Sequence, residues 1–139
     1  MRVVLDTNVF VSGIFFGGPP GTILDQWADA RFELLVTPGI FDEYLRTCDR
    51  LSTQWPALEY RSVLTTIGGH GILLPDSTNT EPITPDPDDD KFIRCAHEHR
   101  GMVVSGDKHL LGVSGWNDVQ VLKPRAFLTY LGDSGLKGK

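Results

Sequence analysis

Apolar residues along this chain follow two rhythms, short continuous runs and a spacing of three or four, and the two alternate. Arg2-Val3-Val4-Leu5, Phe32 to Val36, Ile72-Leu73-Leu74, Met102-Val103-Val104 and Asp118 to Leu122 are the continuous runs. Such β-branched runs without polar alternation predict strands covered on both faces, as in a parallel sheet. Between them lie helical stripes. One runs from Thr22 to Ala30, with Ile23, Leu24, Trp27 and Ala28 on one side. The next opens at Thr37-Pro38 and buries Ile40, Phe41, Tyr44, Leu45, Cys48 and Leu51. A third runs from Leu58 to Ile67 and ends at Gly68-Gly69, leaving His70 in a loop. A fourth follows Pro87, with Phe92, Ile93 and Ala96 at helical spacing, and a fifth closes the domain from Pro124 to Leu131. This alternation predicts a three-layer α/β/α sandwich with a mainly parallel central sheet. Residues 1–131 form the domain, and Gly132 to Lys139 a flexible C-terminal tail.

The punctuation between stripes is less regular. Gly17-Gly18-Pro19-Pro20-Gly21 is expected to be a flexible loop. It lacks the Gly-x-Gly-x-x-Gly spacing of a dinucleotide site and carries proline where backbone donors would be needed. Asp76 to Asp86 is polar and proline-rich, and is expected to be irregular.

Composition narrows the class further. A chain of 139 residues fits one domain and can bury a core without disulfide or metal. Cys48 and Cys95 each sit in a helical apolar stripe and form no Cys-x-x-Cys pair, so they read as buried free thiols of a reducing compartment. No apolar run approaches a membrane span, and Met1 leads straight into a strand with no signal peptide, so a cytoplasmic protein is expected. A net charge of −5 argues against a general nucleic-acid coat. It leaves room for an enzyme whose acids are neutralised by metal ions.

The acids repeat one grammar. Asp6 ends the first strand and Asp107 ends the strand Met102 to Val104. In open parallel sheets the working groups gather outside the carboxyl ends of strands. Pro85-Asp86-Pro87-Asp88-Asp89-Asp90 packs four carboxylates into five positions at a helix start, where capping uses one or two. Asp90, three residues before Ile93, is expected to lean toward the buried side. Glu43 lies at the margin of the second helix, with Arg46 and Arg50 one and two turns on, and Asp42 faces solvent. Right-handed crossovers bring such positions to one edge of the sheet. Carboxylates that meet there must take up protons or bind cations, and hard divalent ions, Mg²⁺ or Mn²⁺, suit oxygen ligands. His97 and His99 diverge by roughly 200° on their helix and cannot share a metal.

These residues carry a resemblance. Val3-Val4-Leu5-Asp6-Thr7-Asn8, then Thr37-Pro38 with Glu43, then Asp88-Asp89-Asp90-Lys91-Phe92, then Val104-Ser105-Gly106-Asp107-Lys108 are similar to the motifs of the PIN domain. Within it the chain most resembles the VapC-like toxins of toxin–antitoxin pairs, over roughly residues 1–131. The resemblance implies a metal-dependent ribonuclease whose catalytic and metal-holding acids are Asp6, Glu43, Asp90 and Asp107. Thr7, Asn8 and Ser105 fall at supporting positions, and Asp88 or Asp89 could share the metal shell. Lys91, Arg46 or Lys108 would steady substrate phosphates. Ser105 stands where threonine is commoner but keeps the hydroxyl. His109 stands where the subgroup often has a second aspartate, and no ligand role is carried to it. The resemblance also implies an RNA substrate, a cognate antitoxin and a homodimer. A non-catalytic RNA-binding or regulatory module and a DNA-directed structure-specific nuclease are the alternatives. The full set of acids disfavours the first, and the short chain, without a helical clamp, disfavours the second.

Overall fold

The computed structural model describes residues 1–55 and 60–137, and at Gly68 and beyond Gly132 the backbone alone. Five strands, β1 (Arg2–Leu5), β2 (Glu33–Val36), β3 (Ile72–Leu73), β4 (Met102–Val104) and β5 (Val121–Leu122), form one sheet in the order β3-β2-β1-β4-β5. Every pairing is parallel, with Val3 opposite Leu34 on one side and Met102 on the other. Among the described residues seven helices cover it: α1 (Thr7–Phe15), α2 (Gly18–Ala28), α3 (Pro38–Ser52), α4 (Arg61–His70), α5 (Pro87–Glu98), α6 (Lys108–Leu111) and α7 (Pro124–Lys137). The architecture is the α/β sandwich that the alternation of runs predicts. None of these helices is long and apolar enough to cross a membrane.

The three central strands explain their own composition. Val3, Val4, Leu5, Leu34, Leu35, Val36, Val103 and Val104 are fully buried because helices lie against both faces. Each such side chain contributes about 1.5–3 kcal/mol on leaving water. Phe10 of α1 stacks on Tyr44 of α3 at 4.1 Å, and the Tyr44 hydroxyl donates to Leu5 O. That contact pins α3 to the end of β1. Cys48 and Cys95 are buried and free, and burial pushes their thiols up, to about 11 and about 12.

Four local expectations are corrected. The stretch Gly17 to Gly21 is not a loop: α2 begins at Gly18, and Pro19 and Pro20 occupy its first turn, where a missing N–H leaves no helical bond unmade. Only Gly17 and Gly18 take positive φ, turning the chain between α1 and α2. At the crossing of those helices a Cβ on Gly13 would meet Pro20 O at 2.8 Å and Leu24 Cδ1 at 2.7 Å. Gly68 and Gly69 do not stop α4, which runs through them and makes His70 its last residue. The stop is Gly71, whose N–H donates to Ile67 O at 2.8 Å. The expected start at Leu58 lies outside the described residues. Leu45, placed on the buried side of α3, is 37% exposed, while Ile40, Tyr44 and Cys48 are buried. The last helix continues past Leu131 to Lys137, because glycine lowers helix propensity without forbidding propagation.

Candidate active site

Asp6 leaves β1 at its carboxyl end and caps α1, its Oδ1 accepting from Val9 N at 2.9 Å. Its backbone N–H continues the sheet ladder to Val104 O at 3.1 Å. That bond sets Asp6 beside the end of β4, where Ser105 stands fully buried. Ser105 Oγ donates to Asp6 Oδ2 and accepts from Asp107 N at 2.9 Å, so one hydroxyl joins the two strand-end acids. Asp107 in turn caps α6, accepting from His109 N at 2.7 Å. Asp6 is 4% exposed. Burial pushes its carboxyl above the usual range, the Asp107 charge adds to the rise, and bonds from Ser105, Val9 and Asn8 oppose it.

Glu43 comes from one turn into α3, whose start is fixed by the Thr37 cap and Pro38. Thr7 Oγ1 donates to Glu43 Oε2, and Lys91 Nζ lies 2.8 Å from Oε1. Lys91 also donates to Asp88 O at 2.7 Å, so it ties α3 to the first turn of α5. Thr7 is buried and Asn8 exposed, its N–H acting on Asp6.

The acidic start of α5 divides between two directions. Asp86 caps the helix, accepting from Asp88 N at 3.0 Å. Asp88 is exposed, and its backbone donates to Asp86 and accepts from Lys91. Asp90 is buried, as its register predicts, but its carboxylate does not join Asp6. Oδ1 accepts from Thr84 N at 2.9 Å and lies 2.7 Å from Thr84 Oγ1, and Oδ2 accepts from Ile83 N at 3.2 Å. Asp90 therefore ties down the irregular segment before α5. The acid that meets the strand-end pair is Asp89. Burial first, then the charges of Asp107, Asp86 and Asp6, raise its carboxyl to about 6, and His109 lowers it. His109 Nδ1 stands 3.7 Å from Asp89 Oδ2 and 3.8 Å from Asp107 Oδ1, too long for hydrogen bonds.

The fine register of α5 explains both positions. Asp89, Phe92, Ile93 and Ala96 follow the i, i+3, i+4, i+7 stripe, and the last three are buried. That stripe starts at Asp89 and leaves Asp90 one step of about 100° round the helix. Of the basic residues expected near substrate, Lys91 reaches the cluster. Arg46 is engaged in an exposed pair with Asp42 at 2.8 Å, and Lys108 is exposed at the start of α6.

Asp86, Asp89 and His109 each present one ligand atom within 4.8 Å of the others. Asp89 Oδ2 is buried with no hydrogen-bond partner among the described residues. An anionic oxygen in that condition, beside further carboxylates that raise its affinity for protons, fits a divalent cation with oxygen ligands.

Comparison with known proteins places the chain in a family and matches its fold. A family model described as PIN domain matches residues 2–109. An uncharacterized protein of Methanocaldococcus jannaschii, MJ1680, is 31% identical over 121 residues, covering 84% of this chain and 77% of that one. A solved PilT N-terminus domain protein from Sulfolobus solfataricus, SSO1118, superposes with a TM-score of 0.61. It covers 94% of this chain and 93% of its own at 12% identity, which is a likeness of fold.

Proposed function

The chain belongs to the PIN domain family, in general a nuclease fold, and on that premise we propose that it is a Mg²⁺- or Mn²⁺-dependent endoribonuclease. The observation that carries this reading is Asp89 Oδ2, buried without a partner and charged against Asp6, Asp86 and Asp107. Asp6, Asp89 and Asp107 would hold the metal, with Asp86 and His109 beside them and Glu43 at the margin. Asp89, whose buried Oδ2 has no partner and which the charges of Asp6 and Asp107 reach, takes the role that the motif likeness gives to Asp90.

A bound divalent ion would supply positive charge for the phosphodiester and lower the pKa of water at the site. The chain's own groups do the rest. Ser105 fixes Asp6 in one rotamer, and the Asp107 cap fixes the second strand-end acid. Thr7 holds Glu43 so that its other oxygen can orient the attacking water and accept its proton. Lys91, now on Glu43, is near enough to turn to a substrate phosphate.

The finer reading is that this enzyme is the toxin of a type II toxin–antitoxin pair, working in the cytoplasm as a homodimer with a cognate antitoxin. Its support is the motif likeness to VapC-like proteins.

The test is cleavage of a single-stranded RNA by purified protein with Mn²⁺, beside Asp6→Asn. Wild type should cut and the variant should not, while both melt cooperatively. An Asp6→Asn protein that cuts as fast as wild type would overturn the assignment.

A further inference from the structure

Among the described residues two buried side-chain polar atoms have no hydrogen-bond partner, and both belong to α5. One is the Asp89 oxygen already discussed. The other is Arg94 Nη2, on a residue only 6% exposed. The two orphans have opposite sign and do not pair with each other. An acid in this position can take up a proton, but a guanidinium stays charged. A buried arginine without an anion is therefore the less tolerable of the two.

Arg94 lines a cavity of about 340 Å³ that Lys91, Asp90, Asp76, Asn79 and Thr80 also border. The acids in its wall do not neutralise it by contact. Asp90 gives both oxygens to Ile83 and Thr84, and Asp76 Oδ1 accepts from Gly39 N at 3.0 Å. Arg94 forms no ion pair within 4 Å of either. Asn79 and Thr80 add neutral polar groups at the exposed rim. Lys91 borders this cavity and touches Glu43, so the cavity and the carboxylate cluster share a wall.

The geometry points to this cavity as a binding pocket for a phosphate group, with the Arg94 guanidinium as its principal donor. Planar N–H donors match phosphate oxygens in pairs, and Lys91 in the same wall adds a second cation. The assignment rests on the nuclease reading only for its source. If that reading holds, the phosphate is one on the RNA strand beside the bond being cut. If it fails, the pocket takes a free phosphate or a nucleotide.

The test is done in EDTA, so that cleavage plays no part. Inorganic phosphate is titrated into wild type, Arg94→Met and Thr80→Glu at constant ionic strength, and binding is read by calorimetry. Binding of a single-stranded RNA oligonucleotide to the same proteins is read by fluorescence anisotropy. Arg94→Met removes the charge with similar bulk, and Thr80→Glu sets a like charge at an exposed rim position that the fold tolerates. Either variant should weaken phosphate roughly tenfold or more. RNA binding weakened with it identifies a strand phosphate, and RNA binding left intact identifies a free phosphate. The rise in melting temperature that Mn²⁺ produces should remain that of wild type in both variants, which separates this pocket from the metal cluster. Absence of phosphate and RNA binding in wild type, or equal binding of both ligands by all three proteins, would overturn the proposal.

Discussion

Lys91 and Glu43, 48 positions apart, meet as an ion pair of 2.8 Å with about a quarter of each side chain exposed. The pair joins the two helices that flank the carboxyl edge of the sheet, and it sets an ammonium at the margin of the acidic cluster. Replacing Lys91 by Met should change stability by less than about 1 kcal/mol, because a partly exposed, solvent-screened ion pair contributes little. It should also leave the cluster one charge more negative, so Mn²⁺ should bind more tightly, by calorimetry, while RNA cleavage slows. Weaker Mn²⁺ binding would mean that Lys91 holds Glu43 in place for the metal.

Neighbouring aspartates on α5 should behave oppositely. Asp89→Asn should raise the melting temperature of the metal-free protein by a few degrees, abolish its rise with Mn²⁺ and stop RNA cleavage. Asp90→Asn should lower stability by about 1–2 kcal/mol, from weakened bonds to the backbone of residues 83 and 84, and keep the Mn²⁺ response. Thermal melts with and without Mn²⁺ decide it, and loss of the response only in the Asp90 variant would reverse the assignment.

The acidic cluster gives the metal-free protein a signed pH dependence. Asp89 titrates near 6 when folded, above its ordinary 3.8, so the fold binds its proton more tightly than the unfolded chain does. Its stabilising contribution is complete below about 3.8 and is lost as pH rises through about 6. Asp6 is shifted in the same direction. The stability of wild type minus that of Asp89→Asn should therefore fall between pH 4 and 6 and level off above. The Mn²⁺-induced shift should grow over the same range, as metal replaces protons. Melting curves across pH 4–8 check both.

Ser105→Ala should cost about 1–3 kcal/mol by denaturant unfolding, because it leaves a buried Asp6 oxygen and the Asp107 N–H without their shared partner. The same change should weaken Mn²⁺ binding. Ser105→Thr, which restores the hydroxyl, should recover much of the metal affinity. A Thr variant as weak as Ala would show that volume, not the hydroxyl, matters there.

What the sequence makes readable here is the register of strands. Asp6 and Asp107 are legible as strand-end acids because a buried strand followed by an acid is a one-dimensional pattern, and the edge of a parallel sheet collects such ends. Glu43 was placed by its helix margin, and Ser105 by its motif. The α5 acids resisted because one residue on a helix is a rotation of about 100°, and three successive aspartates differ only in that angle. Arg94 was passed over for a simpler reason: charged residues are expected outside, and nothing in its spacing overrode that expectation. The start of α2 and the stop of α4 differ from expectation because glycine and proline punctuate helices without always breaking them. Gly71 earned the stop through contact with Ile67 that only three dimensions reveal.

The hydroxyl of Ser105 and the carboxylate of Asp6 are separated by 99 positions of chain. Closing so long a loop is slow compared with forming a helix, and it requires both strands to have arrived. A polypeptide ending before β4 would thus own Asp6, Glu43 and Asp89 but lack Ser105 and Asp107, and could not assemble the proposed site. On that reading, the site comes into being only with the last quarter or so of the chain.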